Sequence, residues 1–246
     1  MEVHILNGDA LKEKFPTSIG GELIVARECL VDGNVSGKDL SELFINRQIY
    51  LGESYGISQG EYQKSIQEFE RIKSIDSDSI VNLWFENDLF CQVNLWFCAY
   101  LLNSNGISAE IFLVQPNTEL QYGFGGMNEY ALIKAYNKKC RIKPESLSAL
   151  SQLWRCYQLK NVENILKITK RIANDFPLIR DAVIAYIESI PTQKSPGRPK
   201  TALMEIIKRL GTNAFEPVFQ EFSKSECIYG FGDLQVKRLM KELNQF

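Results

Sequence analysis

Short, almost continuously apolar segments alternate with helical patterns in the first half of this chain. The segments that we interpret as buried strands are Glu2–Leu6, Glu22–Glu28, Ile80–Phe85 and Ala109–Val114. Helical patterns occupy residues 10–15, 38–73 and 88–103. Strands that are apolar on both faces and alternate with helices are typical of a parallel sheet covered on both sides. The pattern therefore predicts an α/β fold with a Rossmann-like, mostly parallel sheet.

The second half of the chain has a helical pattern throughout. Apolar positions recur every three to four residues over residues 144–159, 162–174 and 178–190. Residues 191–200 have the composition of a linker. Three short helices are predicted beyond it, with a small ribbon before the last, over residues 201–210, 214–223 and 233–244. We therefore predict an α/β ligand-site domain (1–140), a helical connecting region (141–190) and a winged-helix-like module (191–246).

Polar residues follow three of the predicted strands. These residues are Asn7, Gly8 and Asp9, then Arg27 and Glu28, then Glu86 and Asp88. Because the carboxyl ends of parallel strands meet at one edge of a sheet, and ligands bind beyond that edge, we expect these side chains to form one site.

Carboxylates dominate this predicted edge, and oxygen ligands suit a hard divalent cation such as Mg²⁺ or Mn²⁺. We expect four carboxylates to be metal ligands: Asp9, Glu28, Glu86 and Asp88. We expect Asp9, Glu28 and Glu86 to be catalytic as well. The candidate ligand-binding residues are His4, Asn7, Gly8, Arg27, Asp88 and Gln92. Such a site would bind a small molecule or nucleotide and favour metal-dependent hydrolysis or phosphoester chemistry.

Several of these residues have a structural interpretation as well. Asp9 and Asp88 could each cap the helix that follows it. Gln92 could bond a loop backbone, and the position of His4 in an apolar strand favours a hydrogen-bonded core histidine. The glycine-rich segment 121–127 could be a lid over the edge or an ordinary surface loop. It is not a phosphate loop, because no Lys-Ser/Thr pair follows the glycines.

Composition excludes several classes of protein. No apolar run reaches the roughly 18 residues of a membrane helix, since Gln92 and Asn94 interrupt the best candidate. The N-terminal residues lack a signal-peptide pattern, so we expect a cytoplasmic protein without a membrane partner. The six cysteines form no C-x-x-C pair and the chain has a single histidine, which argues against zinc-finger spacing. Cys91 and Cys98 share one helix face, which favours a core position.

Charge is unevenly distributed, although the net charge is only −2. Residues 1–140 carry 11 basic and 19 acidic side chains, whereas residues 141–246 carry 17 and 11. The basic surplus, including Lys237, Arg238 and Lys241, leads to an alternative function: a ligand-responsive regulator that binds nucleic acid through the C-terminal module. A structural or interaction protein without a ligand is the third alternative.

Three sequence blocks resemble the bacterial family called "domain of unknown function 1835". The blocks are His4-x-x-Asn7-Gly8-Asp9, Ala26-Arg27-Glu28-x-x-x-Asp32-Gly33 and Leu83-Trp84-Phe85-Glu86-x-Asp88-Leu89-Phe90-x-Gln92. The resemblance extends through the glycine-rich loop, Trp154 and Gly232-Asp233, and so covers most of the chain. Ala26 and Asn34 depart from the family pattern, which favours a bulkier residue and a proline there. The resemblance implies a bacterial cytosolic protein and no particular reaction.

Overall fold

The computed structural model describes residues 1–104, 106, 109–116 and 123–243. Its five-stranded sheet has the order β2-β1-β3-β4-β5. The strands are β1 (Glu2–Leu6), β2 (Glu22–Val25), β3 (Ile80–Trp84), β4 (Glu110–Val114) and β5 (Cys140–Arg141). The first four are parallel and β5 pairs antiparallel with β4. The predicted α/β fold with a mostly parallel sheet is therefore confirmed.

Eleven α-helices and one 3₁₀ helix (Cys227–Tyr229) lie within the described residues. The helices of the first half are α1 (Asp9–Glu13), α2 (Leu40–Tyr55), α3 (Gln59–Lys73), α4 (Leu89–Ser104) and α5 (Glu129–Asn137). Those of the second half are α6 (Pro144–Gln158), α7 (Val162–Ile172), α8 (Ile179–Ser189), α9 (Arg198–Leu210), α10 (Phe215–Ser225) and α11 (Asp233–Leu243). The sequence pattern predicts neither β5 nor the bounds of α5.

Two local differences from the predicted elements have clear causes. The helical pattern over residues 38–73 forms two helices, because Gly56 adopts a left-handed conformation and Ser58 starts α3 with a capping box to Glu61. The second strand ends at Val25, three residues before the predicted end at Glu28. Beyond it, the amides of Arg27 and Glu28 bond the carbonyls two residues back and turn the chain away from the sheet.

Both faces of the sheet are covered, as near-continuous apolar strands require. On one face, Ile5 and Leu83 belong to a large core that includes residues of α3, α4, α6, α7 and α8. On the other face, Leu6 and Trp84 belong to a smaller cluster with residues of α1 and α5. Helix α4 is buried along nearly its whole length, so its few polar side chains must find partners inside the protein.

Helices α9, α10 and α11 form a C-terminal module with an apolar cluster of its own, which includes Leu203, Phe222 and Val236. The expected ribbon is absent from the described residues of this module. Residues 227–229 form the 3₁₀ helix instead, which ends at Gly230 in a left-handed conformation. Helix α9 begins at Arg198, inside the predicted linker, because a proline early in the first turn is compatible with a helix start.

The module is attached to the rest of the chain by polar contacts. Arg238 on α11 bonds both carboxylate oxygens of Asp32, at 2.6 and 3.0 Å. Tyr55 on α2 donates a short hydrogen bond to the same carboxylate. The Tyr229 hydroxyl donates to the carbonyl of Ala185 at 3.1 Å. These contacts hold the module beside the carboxyl edge of the sheet. No helix of the described residues is long and apolar enough to cross a membrane.

Candidate functional site

The carboxyl ends of β1 and β3 form the centre of the site. The chain leaves β1 for β2 on one side and later returns to β3 on the other, so the strand order reverses at this point. The amide of Asn7 donates to the carbonyl of Trp84 at 3.3 Å, which places the segments after the two strands side by side. Open α/β sheets bind ligands in the crevice at such a reversal.

Three potential ligand groups converge after β3. One ligand atom each of Glu86, Asp88 and Cys91 lies within 4.8 Å of the others. Asp88 caps α4: its Oδ1 accepts from the Cys91 amide at 2.9 Å, and its carbonyl accepts from the Gln92 amide at 2.9 Å. Asp88 therefore has the geometry of an N-cap residue. Because the cap bond joins its side chain to the Cys91 amide, the cap also fixes the position of Cys91. Cys91 also lies in the core, as its spacing from Cys98 predicts.

Burial strongly perturbs the two carboxyl groups of this cluster. Desolvation raises the pKa of Glu86 to about 7, and the neighbouring Asp88 adds to the shift. The amide of Phe124 opposes it by donating to Glu86 Oε1 at 2.6 Å. Asp88 is 2% exposed, and burial also raises its pKa. Within the described residues, no lysine or arginine forms an ion pair with either group.

Amide side chains connect the cluster to β1 and β2. Gln92 Nε2 donates to the carbonyl of Glu86 at 2.7 Å, as the structural interpretation of Gln92 expected. Asn7 Nδ2 donates to Cys91 Sγ at 2.8 Å, and Asn7 Oδ1 accepts from Asn94 at 2.8 Å. Asn94 also donates to the carbonyl of Glu28 at 2.7 Å. Asn94 was not among the predicted site residues, although an amide within so apolar a helix could have indicated it.

Asp9 and Arg27 form an ion pair with each other at the same edge. Arg27 donates to both carboxylate oxygens of Asp9, at 2.5 and 2.6 Å, and both side chains are partly exposed. The hydrogen bond from Arg27 lowers the pKa of Asp9. Asp9 makes no capping bond, since Gly8 is the N-cap residue of α1 and no side chain caps that helix.

Glu28 lies in a separate buried ion pair. Arg47 on α2 donates to Glu28 Oε1 at 3.0 Å, and the two side chains are 0% and 1% exposed. The expected set of four metal-ligating carboxylates is therefore divided in the structure. Arg27 and Arg47 neutralise Asp9 and Glu28, and only Glu86 and Asp88 share a cluster of potential ligands. The reason is that Arg27, at the end of β2, pairs with Asp9 from the end of β1, and Arg47 of α2 reaches Glu28.

His4 is a core residue in this structure. It is fully buried, Trp84 Nε1 donates to its Nδ1 at 3.1 Å, and its Nε2 lies 2.9 Å from the carbonyl oxygen of Gly20. Burial lowers the pKa of His4, and a neutral ring protonated on Nε2 satisfies both bonds. These two contacts occupy both ring nitrogens, so the arrangement matches the core interpretation of His4.

Two cavities adjoin the cluster and share Asn7 and Phe90. The larger has a volume of about 650 Å³ and lies between the ends of β1 and β2, helices α2 and α3, and Leu234 and Gln235 of α11. The smaller, of about 370 Å³, is lined by the cluster and by residues around Gly230. The C-terminal module thus contributes a wall to both cavities.

Two glycine-containing segments approach the cluster. In the glycine-rich segment 121–127, which the sequence left open as a lid or a surface loop, Gln121 and Tyr122 lie outside the described residues. Phe124 of this loop is buried against Trp84 and, through its amide, holds Glu86. From the C-terminal module, Gly230 comes so close that a Cβ atom there would lie 2.1 Å from Asp88 Oδ1. Only glycine allows this approach, so the module covers Asp88 with its backbone.

Basic residues of the C-terminal module are largely engaged within the chain. Arg238 binds Asp32, and Lys237 pairs with Asp233 at 2.8 Å. On α9, Arg198 pairs with Glu188 and Glu226. Of the three basic residues noted on α11, two are therefore already paired with carboxylates in this structure.

No protein-family model matches this sequence, and no match to a curated protein or to a solved structure reaches significance. The functional assignment therefore depends on the geometry of the site.

Proposed function

We propose that this protein is a metal-dependent enzyme that binds a small phosphorylated or nucleotide-class ligand at the carboxyl edge of its sheet. In this proposal Glu86, Asp88 and Cys91 hold a divalent cation. The observation that carries it is the pair of carboxyl groups of half-buried Glu86 and buried Asp88, which lack a positive partner within the described residues. The position of the pair, where the strand order reverses and two cavities meet, supports a ligand site.

Charge compensation distinguishes this pair from the other carboxylates nearby. Asp9, Glu28 and Asp32 each bind an arginine, namely Arg27, Arg47 and Arg238. Glu86 and Asp88 lack such a partner within the described residues. Because an unpaired buried charge is strongly unfavourable, the pair must share a proton or bind a cation.

The donor atoms bear on the choice of cation. A set of oxygen ligands alone would suit Mg²⁺ or Mn²⁺, as the sequence analysis expected. Cys91 adds a sulfur ligand, which favours a softer cation such as Zn²⁺. A bound cation would polarise a phosphoryl oxygen and acidify a water molecule. The chain's own residues position the ligands: Asn7 holds the Cys91 sulfur, and Gln92 holds the main chain at Glu86.

We also propose a specific type of sheet, a specific type of C-terminal module, a family and a cellular location. The strand order supports a Rossmann-like sheet. The three packed helices α9–α11 support a winged-helix-like module, although no ribbon occurs among its described residues. Membership of the "domain of unknown function 1835" family and a cytoplasmic location are also proposed. The nucleic-acid-binding alternative has less support, because Lys237 and Arg238 are paired within the chain.

Calorimetric titration of chelator-treated protein with ZnCl₂, MnCl₂ and MgCl₂ tests the cation site. We expect Zn²⁺ to bind most tightly, and both Asp88→Asn and Cys91→Ser to weaken its binding by at least about 10-fold. A cation present at 100 times its dissociation constant should stabilise the fold by about 2.7 kcal/mol. Asp9→Asn is the matched control, since Asp9 is paired with Arg27, and it should bind as the wild type does. Equal binding by Cys91→Ser and wild type would contradict the ligand set.

A further inference from the structure

We infer that the larger cavity binds a ribonucleotide, with Glu28 and Tyr62 bonding the hydroxyl groups of its ribose. The inference rests on the proposed function in that the ligand is of the nucleotide class, but it does not require the cation. It concerns the cavity of about 650 Å³ rather than the cluster at Glu86.

Two unsatisfied polar groups lie in residues that line this cavity. Glu28 Oε2 and the Tyr62 hydroxyl are buried and make no hydrogen bond of good geometry, and the two residues are only 8% and 2% exposed. Burial, followed by the charge and the close side-chain contact of Glu28, raises the pKa of Tyr62, so the two groups lie side by side. A buried polar group without a partner costs about 1–3 kcal/mol, so such groups call for a functional explanation.

The two groups are chemically complementary to a diol. The other oxygen of Glu28, Oε1, is occupied by Arg47 and by the amide of Cys29. Oε2 is therefore an acceptor that still lacks a donor, whereas the Tyr62 hydroxyl can donate or accept. A vicinal diol supplies a donor and an acceptor on neighbouring carbons, and it could satisfy both groups together.

The remaining walls of the cavity suit the rest of a nucleotide. Apolar side chains that can cover a base line one part of it: Leu51, Ile57, Phe90 and Leu234. The cationic side chain of Lys64 lines it as well and can attract a phosphate, whereas Arg27, which also lines it, is already paired with Asp9. The volume lies within the range of small-molecule sites. Apolar walls, two hydroxyl partners and the Lys64 cation together fit a nucleoside phosphate better than a purely apolar ligand.

Binding of AMP and of 2′,3′-dideoxy-AMP should be compared by calorimetry, with a chelator present so that the cation site stays empty. We expect the wild type to prefer AMP by at least about 10-fold, because the dideoxy compound leaves both buried groups unsatisfied. Tyr62→Phe removes one hydroxyl and keeps the ring, so it should reduce this preference to within a few-fold. Lys64→Met should reduce the preference for AMP over adenosine.

Tyr50→Phe is the matched control, because the Tyr50 hydroxyl is also buried without a hydrogen bond of good geometry but Tyr50 does not line the larger cavity. It should leave the preference for AMP unchanged. Equal binding of AMP and dideoxy-AMP by the wild type, an unchanged preference in Tyr62→Phe, or no nucleotide binding at millimolar concentration would overturn the inference. Zn²⁺ binding in the separate titration would then still support the cation site, so the two failures can be told apart.

Discussion

The buried guanidinium of Arg47 should be among the most important single groups for the stability of this protein. It donates to Glu28 and to the carbonyls of Cys29, Asp32 and Asn34, at distances from 2.6 to 3.2 Å. Its side chain is 0% exposed. Arg47 therefore both neutralises Glu28 and fastens the loop between β2 and α2, which borders the larger cavity.

Replacing Arg47 with methionine keeps most of the side-chain volume but leaves Glu28 as an uncompensated buried charge. Removing one partner of a buried ion pair typically costs about 3–5 kcal/mol, and here three carbonyls also lose a donor. We expect Arg47→Met to lower the free energy of unfolding by about 4 kcal/mol. That is a large share of the roughly 5–15 kcal/mol that stabilises a typical domain.

Urea unfolding followed by tryptophan fluorescence measures this loss, and a double-mutant cycle assigns it to the charge. Glu28→Gln in the Arg47→Met background removes the orphaned charge, so the double variant should be more stable than Arg47→Met alone. Arg71→Met is the control, because Arg71 pairs with Glu22 and Glu68 but is 40% exposed. It should cost no more than about 1 kcal/mol. A loss below about 1 kcal/mol for Arg47→Met would refute the reasoning.

Two further predictions concern the Glu86 cluster. The pKa of Glu86 rises from 4.5 to about 7 on folding, so ionisation of this group favours the unfolded state. The free energy of unfolding of the metal-free protein should therefore fall by on the order of 3 kcal/mol as the pH rises across that interval. Glu86→Gln should reduce the difference in the free energy of unfolding between pH 5 and pH 8, whereas an unchanged difference would argue against a titrating Glu86. Gly230→Ala should destabilise by roughly 2–4 kcal/mol in thermal unfolding, since the new methyl group would collide with Asp88. Gly211→Ala is the control, because Gly211 has the same left-handed backbone (φ of +64°) but no atom near the new methyl group. It should cost only about 1 kcal/mol. Equal losses of stability in the two variants would show that the collision with Asp88 is unimportant.

Much of the fold was predictable because local patterns encode it. The apolar strands and the three-to-four spacing of the helices located most elements to within a few residues. Elements with weak patterns escaped prediction. Strand β5 has only two residues, which is too short for a period-two pattern. Where a ribbon is expected before α11, the chain forms a short 3₁₀ helix. This helix ends at Gly230, which adopts a left-handed conformation.

The candidate site was predictable in position but not in composition. Parallel strands bring their carboxyl ends to one edge, so the locations of Asn7, Glu28 and Glu86 followed from the strand assignments. Cys91 joined the cluster only because Asp88 caps α4 and thereby fixes the first turn of that helix. Gly230 reaches Asp88 from a module more than 100 residues away along the chain.

The sequence by itself therefore determined the strands, the helices and the edge at which polar groups meet, because hydrophobic periodicity and turn residues act over a few neighbouring positions. The tertiary structure alone decided which carboxylates are neutralised. Arg47 lies 19 residues from Glu28, and Arg238 lies 206 residues from Asp32. Since no local pattern specifies such pairs, only the folded chain shows that Glu86 and Asp88 are left without a positive partner among the described residues.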